Sequence, residues 1–371
     1  MSEGDIRYWV GFNKVPGIGA ARLRVLLDHF GDLEIAWQAP LHDLQQAGLD
    51  RRSLESLLSA RKTLDLDAEM ERLQKGGVEV VTWLDDHYPP NLRQAYNAPP
   101  LLYVRGSLET RDEWAMAVVG TRRATVYGKE VARMICTGLT QAGVTVVSGM
   151  AQGIDTVAHR ACLEAGGRTI AVLGCGVDVV YPAQNARLAA EIVEHGALIS
   201  EYALGTRPDA RNFPPRNRII SGLTLGTVVI EGDMGSGALI TAGFALEQGR
   251  EVFAIPGNIF ARASRGTNHL IQQGAKMVTQ VGDVLEELNL TMVSEQAQAR
   301  AIIPENATEA VLLERLSAEP IHVDALGRAV DLPIAQVTST LALMELKGMV
   351  RQVGGMSYVL ARESGVEYII E

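Results

Sequence analysis

The sequence predicts a doubly wound α/β domain on a parallel sheet, with a helical segment ahead of it and a small helix-and-hairpin segment behind. Three observations carry that prediction. Between residues 115 and 280, short apolar runs rich in Val, Ile, Ala and Thr recur, each followed by a stretch with helical spacing. The runs lack the polar alternation of a half-exposed strand, as expected when both faces of a sheet are covered. Glycine or another small residue marks the step from strand to helix several times over, the punctuation a βα unit needs.

Residues 1 to about 65 read as helices. VPGIGAARLRVLLDHFG (15–31) sets apolar residues at helical spacing between a Gly-Ile-Gly turn and a closing glycine, and SLESLLSARKTL continues the pattern. The rhythm then changes to two β-rich runs, VEVVTW (78–83) and PLLYVRG (100–106), separated by the proline-marked HYPPNLRQAYNAPP. From there strand and helix alternate. AMAVVG (115–120) precedes YGKEVARMICTGLTQAG, VTVVSG (144–149) precedes IDTVAHRACLEAGG, and RTIAVLG (168–174) precedes NARLAAEIVEHG. ALIS (197–200) leads to an arginine-bearing strip, FPPRNRIISGL (213–223). LGTVVIEG (225–232), EVFAIPG (251–257) and AKMVTQ (275–280) lead to ALITAGFALEQG, TNHLIQQG and VGDVLEEL. The polar stretch 289–308 reads as a linker. Residues 309–371 then supply three helices and a hairpin with Gly354-Gly355 at its tip, a helix-turn-helix with a wing. The expected domains are 1–65, 66–288 and 309–371.

A chain of 371 residues has room for two or three domains, and 47% hydrophobic with 21% charged residues is an ordinary globular balance. The start MSEGDIRYWV lacks the basic and apolar regions of a secretory signal. No apolar run approaches the ~20 residues of a membrane span. Three cysteines without a CxxC pair point to a reducing cytoplasm. Seven scattered histidines without HExxH or a Cys/His cluster lead us to expect no metal. A net charge of −10 argues against indiscriminate coating of nucleic acid and leaves room for one local basic site.

That site is expected beyond the carboxyl ends of the strands. Three loops there are small or glycine-rich and enter helices: Gly120-Thr121-Arg122-Arg123, Gly149 to Gly153, and Asp233 to Gly237. Helix starts favour anions. Arg216 and Arg218 add guanidinium forks beside Phe213, although Arg216 opening a helix and pairing with a nearby glutamate explains the same letters. Enzyme signatures fail in turn. Gly174-Cys175-Gly176 lacks the third glycine of a dinucleotide fingerprint, since Val179 stands there. Gly128-Lys129 is followed by Glu130 where a phosphate loop needs Ser or Thr, and Val146 spoils a nucleophile elbow around Ser148. His159 near Asp155, and Glu231 at a strand end, are the remaining acid–base candidates, and a structural hydrogen bond accounts for each as readily. The pattern is a phosphate-gripping surface without an evident nucleophile, metal site or cofactor cradle.

VVGTRRATVYG, SGMAQGIDTVAH, GGRTIAVLGCGVDVVYP, SEYALG, FPPRNRIISGL and GSGALITAGFALEQGREVFAIPG, in that order, resemble the DprA/Smf family of DNA-processing proteins. The resemblance spans nearly the whole chain. It implies an extended Rossmann-like domain behind a sterile-alpha-motif-like or helix-hairpin-helix domain, with a winged helix at the end. It implies a protein that binds and shields single-stranded DNA during natural transformation and loads the recombinase RecA onto it. The implied protein is no enzyme, needs no cofactor, forms a homodimer, and has single-strand-binding protein as a further partner. The family's Gly-Ser-Arg loop corresponds to Gly120, Thr121 and Arg122, with threonine keeping the hydroxyl. The DNA-binding set so implied is Gly120, Thr121, Arg122, Arg123, Ser148, Gly149, Gln152, Gly153, Arg211, Phe213, Arg216, Asn217, Arg218, Gly235, Ser236 and Gly237. In it arginines meet phosphates, the 148–153 loop adds backbone donors, and Phe213 stacks a base. SEYALG departs from the more usual SEYPxG without touching that set.

The flanking segments are less telling. Val15 to Gly19 resembles the phosphate-gripping hairpin of helix-hairpin-helix proteins, with Arg22 and Arg24 nearby, and helix packing explains it equally well. The expected recognition helix, 334–348, carries Glu345 and a late Lys347 but no arginine, which suits docking a protein or packing against the main domain better than a DNA groove. The rival class is a nucleotide-processing phosphoribohydrolase on a related fold. Its PGGxGTxxE signature finds no matching glutamate in EGDMGSGALITAGFALEQG.

Overall fold

The computed structural model describes residues 3–290, 307–317, 320–330, 332–346 and 350–360. The chain forms two compact units, 1–290 and 291–371. The first is built on one sheet of nine strands: β1 (Glu79–Thr82), β2 (Leu101–Gly106), β3 (Ala115–Val119), β4 (Thr145–Ser148), β5 (Thr169–Val172), β6 (Gly196–Ser200), β7 (Gly226–Val229), β8 (Glu251–Ala254) and β9 (Lys276–Met277). Their order across the sheet is β1-β2-β6-β5-β4-β3-β7-β8-β9. Neighbours from β6 through β9 run parallel, while β1 and β2 add an antiparallel edge.

Strands β3 to β7 are buried on both faces, as their composition requires. On one face Ala117, Val119, Ile170 and Val229 pack against Ile219, Ile220, Ala238 and Ala242 of the helices Phe213–Gly222 and Gly237–Glu247. On the other, Ala171 and Leu198 pack against Leu188, Ala189 and Ile192. The run 275–280 contracts to the two residues of β9. Asp283, at the start of the next helix, accepts hydrogen bonds from the amides of Thr279 and Gln280 and so ends the strand.

The boundary expected at residue 65 is not a boundary of packing. Trp9, Phe12, Leu26 and Leu57 share one hydrophobic core with Val80, Leu101 and Tyr103 of the β1–β2 edge. Each large apolar side chain buried there contributes about 1.5–3 kcal/mol. Trp9 meets Trp83 edge-on at 6.3 Å, and the Tyr103 hydroxyl donates to Asn13 Oδ1 at 3.1 Å. The helices therefore clasp the antiparallel edge that would otherwise be exposed. The Val15–Gly19 hairpin belongs to this packing. Val15 and Ile18 are buried, Arg22 pairs with Asp50, and Arg24 lies 4.8 Å over the Trp83 ring.

In the second unit, helices Ala307–Arg315, Val323–Val330 and Ile334–Leu346 accompany a three-stranded sheet of Ile321–His322, Val350–Gly354 and Ser357–Leu360. Leu312, Leu326, Val337, Leu341, Val350 and Tyr358 form its core. This is a winged helix. Gly354 and Gly355 turn the wing with φ of 108° and 54°. Glu345 accepts the Gln352 amide at 2.9 Å, so the one acidic residue singled out on the recognition helix is tied to the wing. Lys347, most of the expected linker and residues 361–371 lie outside the described residues. No helix among the described residues is long and apolar enough to cross a membrane.

Candidate nucleic-acid interface

Strand β3 pairs with β4 on one side and β7 on the other, so the chain reverses its progress across the sheet there. Such a switch point opens a crevice beyond the strand ends. A cleft of about 710 Å³ occupies it, walled by the Gly120–Arg123 loop, the start of helix Gly237–Glu247 and the first turns of helix Phe213–Gly222.

The floor is a buried guanidinium, that of Arg216, facing a buried carboxylate, that of Asp155, across Gly149. Arg216 is only 4% exposed, and its Nη1 donates to the carbonyls of Gly149, at 2.9 Å, and of Val172. Asp155, also buried, accepts from the amides of Gly149 and Ala151 at 3.1 and 3.2 Å. A Cβ on Gly149 would lie 2.7 Å from the Arg216 guanidinium and 2.9 Å from the Asp155 carboxylate, so only glycine fits between them. Burial pushes Arg216 down to about 10, which leaves it charged at neutral pH, and pushes the Asp155 carboxyl up.

Above the floor stands Phe213. The Arg122 and Arg216 guanidinium carbons lie 5.7 and 5.8 Å from its ring centroid. Tyr181 leans on it at 5.5 Å, tilted by 33°, and is 45% exposed. Gly174 makes room beneath, since a Cβ there would meet the Phe213 ring at 2.8 Å. That glycine reads in the sequence as part of a failed dinucleotide fingerprint; its use is to seat an aromatic ring. A smaller recess of about 100 Å³ beside the ring is lined by Arg122, Gln152, Tyr181 and Arg216.

Of the sixteen residues named from the sequence, Gly120, Thr121, Arg122, Arg123, Phe213, Arg216, Asn217, Ser236 and Gly237 line the cleft, and Gly149 and Gln152 line the recess. The others serve elsewhere. Arg218 points off the far side of its helix and pairs with Glu201 at 2.6 Å, each 17% exposed. Arg211 is 88% exposed and bound to Asp209. Ser148 is buried, its hydroxyl donating to Val118 O at 2.6 Å. Gly153, at φ 86°, lets its helix start press on the Thr121 carbonyl, which a Cβ would meet at 2.3 Å. Gly235 is a turn residue at φ 76°. The backbone donors expected from the 148–153 loop are partly spent, because Asp155 takes two of them. In compensation, Ser236 stands at the N-cap of helix Gly237–Glu247 without capping it, its hydroxyl has no hydrogen-bond partner, and that helix start faces the cleft.

The acid–base candidates are buried. Glu231 receives the Thr125 amide at 3.0 Å and the Thr125 hydroxyl at 2.5 Å. Gly128 exists for that contact, since a Cβ there would lie 2.3 Å from the carboxylate. His159 is fully buried, with Nδ1 at 2.7 Å from Thr169 Oγ1, and burial depresses its pKa to about 3.

Comparison with known proteins decides the family. Residues 79–289 match the model of DNA recombination-mediator protein A, and 296–356 match the DprA winged helix domain. The chain belongs to the DprA/Smf family. Protein Smf of Escherichia coli is 39% identical over 329 residues, covering 86% of this chain and 87% of that protein. DNA processing protein DprA of Streptococcus pneumoniae is 48% identical over 204 residues, 55% of this chain and 72% of that protein. The X-ray structure of the S. pneumoniae protein superimposes with a TM-score of 0.67 at 39% identity, covering 76% of this chain and 97% of that one. A DprA structure from Helicobacter pylori, described for that protein's single-stranded DNA binding mode, gives a TM-score of 0.51 at 27% identity over 57% of this chain and 95% of that one. The DprA/Smf cleft also contains residues that the sequence did not single out: Tyr181, Asp155 as a pillar, and Ile240 and Thr241 on the far wall. The Tyr-Pro pair at 181–182, in a loop otherwise of small residues, was the available signal for the first.

Proposed function

We propose that this DprA/Smf chain binds single-stranded DNA in the switch-point cleft and, as a recombination mediator, passes the strand to a RecA-type recombinase. The observation that carries the reading is the meeting of two guanidinium groups on one aromatic ring, with a second, half-exposed ring beside it. Exposed Arg122 and Arg123 reach phosphates; Arg216 supplies charge from below and holds the loop. Phe213 and Tyr181 offer faces to unpaired bases, which a duplex keeps stacked inside. Shielding of incoming DNA in a naturally transforming cell, a homodimeric and cytoplasmic state, and single-strand-binding protein as a further partner belong to the same proposal.

The test is a fluorescence-anisotropy titration of single-stranded and duplex DNA at matched, stated salt, with Arg122→Ala alongside. Preference for the single strand is expected. The variant is expected to weaken it and to lower the slope of log affinity on log salt by ~0.7, the share of one phosphate contact. Equal affinity for duplex, or an unchanged slope, would overturn the proposal. Release of a free base from nucleoside monophosphates would favour the phosphoribohydrolase class instead.

A further inference from the structure

Resting on that reading, we infer that the strand continues past the cleft, across Gln152, into a second groove where Lys129, Arg133 and Arg160 hold further backbone phosphates. Contiguity is the first argument. The recess beside Phe213 shares Arg122, Tyr181 and Arg216 with the cleft, and shares Gln152 with a groove of about 460 Å³. That groove runs between helices Val126–Gln141 and Ile154–Glu164, over a floor of Gly153, Thr156, Val157 and Ala161. A strand leaving the aromatic pair on this side meets the groove directly.

Charge is the second. In a chain of net charge −10, the groove walls carry three cations and the single carboxylate of Glu164. Lys129, Arg133 and Arg160 are all exposed. Arg133 shares a surface pair with Glu130 at 2.7 Å, and an exposed pair of that kind contributes little and yields to a phosphate. Lys129 and Arg133 are one helical turn apart, about 6 Å along the axis at 1.5 Å per residue, the scale on which phosphates follow one another along an extended strand. Chemistry of the lining is the third argument. The groove has no aromatic ring among its lining residues, so it suits a polyanionic backbone with its bases turned away rather than a single nucleotide. An acidic protein segment would satisfy the charge alone; continuity with the stacking site favours the strand.

The experiment compares the full chain with a Lys129→Gln/Arg133→Gln/Arg160→Gln variant on labelled oligothymidines of about six and about twenty nucleotides, one near the short end of ordinary single-strand site sizes and one beyond the long end. Glutamine is a good helix former, so exposed helix positions should accept it, and circular dichroism checks this. The short oligomer is expected to bind unchanged. The long one is expected to lose roughly 100-fold at about 0.1 M salt, with its salt slope lower by about 2, at ~0.7 per lost contact. Unchanged binding of the long oligomer, or equal losses at both lengths, would overturn the continuation. Arg122→Ala on the same oligomers separates the two readings. If it is silent at both lengths the cleft reading falls, and a groove-only loss would then describe an isolated patch and overturn the continuation too.

Discussion

Arg216→Met removes a guanidinium that nothing else in the cleft floor replaces. The side chain is 4% exposed, so water cannot fill in. The carbonyls of Gly149 and Val172 lose their donor, and Asp155 loses the opposite charge it faces. Leaving a buried acceptor without its donor costs about 1–3 kcal/mol, and two carbonyls lose theirs here. Against a total stability of about 5–15 kcal/mol, that is a large fraction. All four tryptophans, Trp9, Trp37, Trp83 and Trp114, lie in the first compact unit, so urea unfolding followed by tryptophan fluorescence reports that unit. A second variant, Arg216→Met/Asp155→Asn, discharges the carboxylate and should recover part of the loss, giving a coupling of about 0.5–3 kcal/mol. A single-variant loss below about 1 kcal/mol, or strict additivity of the two changes, would refute the view of Arg216 as the post that holds the 149–155 turn.

Phe213→Ala should cost ~1–3 kcal/mol of single-strand affinity if the ring stacks a base, read by anisotropy; near-native affinity would remove it from the site. His159 supplies a pH signature. Its folded pKa of about 3 lies below the ordinary 6.5, so the unfolded chain binds the proton more readily. Stability from this group is intact above pH 6.5 and is lost as pH falls toward 3, at about 1.4 kcal/mol per pH unit. His159→Leu should flatten that part of the unfolding profile, and an unaltered slope would show the imidazole titrating in the folded state. A chain ending at Leu290 should keep its affinity for a single strand; a collapse would assign DNA contacts to the second unit.

The α/β alternation was legible because strands buried on both faces and glycine-marked turns leave local traces. The site was legible in part. Phe213 to Arg218 reads as one basic strip, but a helix advances 100° per residue, so Phe213, Arg216 and Asn217 face the cleft while Arg218 turns to Glu201. Glycines misled in a consistent way. Gly149 and Gly153 look like a phosphate cradle, yet the groups pressing on them are the protein's own Arg216, Asp155 and Thr121. A sequence shows that a backbone is approached closely and not by what. Tyr181, and the role of Asp155 opposite Arg216, were hidden because their partners, Phe213 and Arg216, lie 32 and 61 residues away in the chain. The packing of the first helices on the sheet edge was hidden for the same reason: Trp9 and Trp83 meet only in space.

Photocrosslinking tests the central claim most directly. A single strand carrying iodouracil, irradiated in complex with the full chain and mapped by mass spectrometry, should attach at Phe213 or Tyr181, the two rings at the cleft mouth. Adducts confined to exposed aromatic residues that do not line the cleft, such as Tyr96 or Phe260, would contradict it.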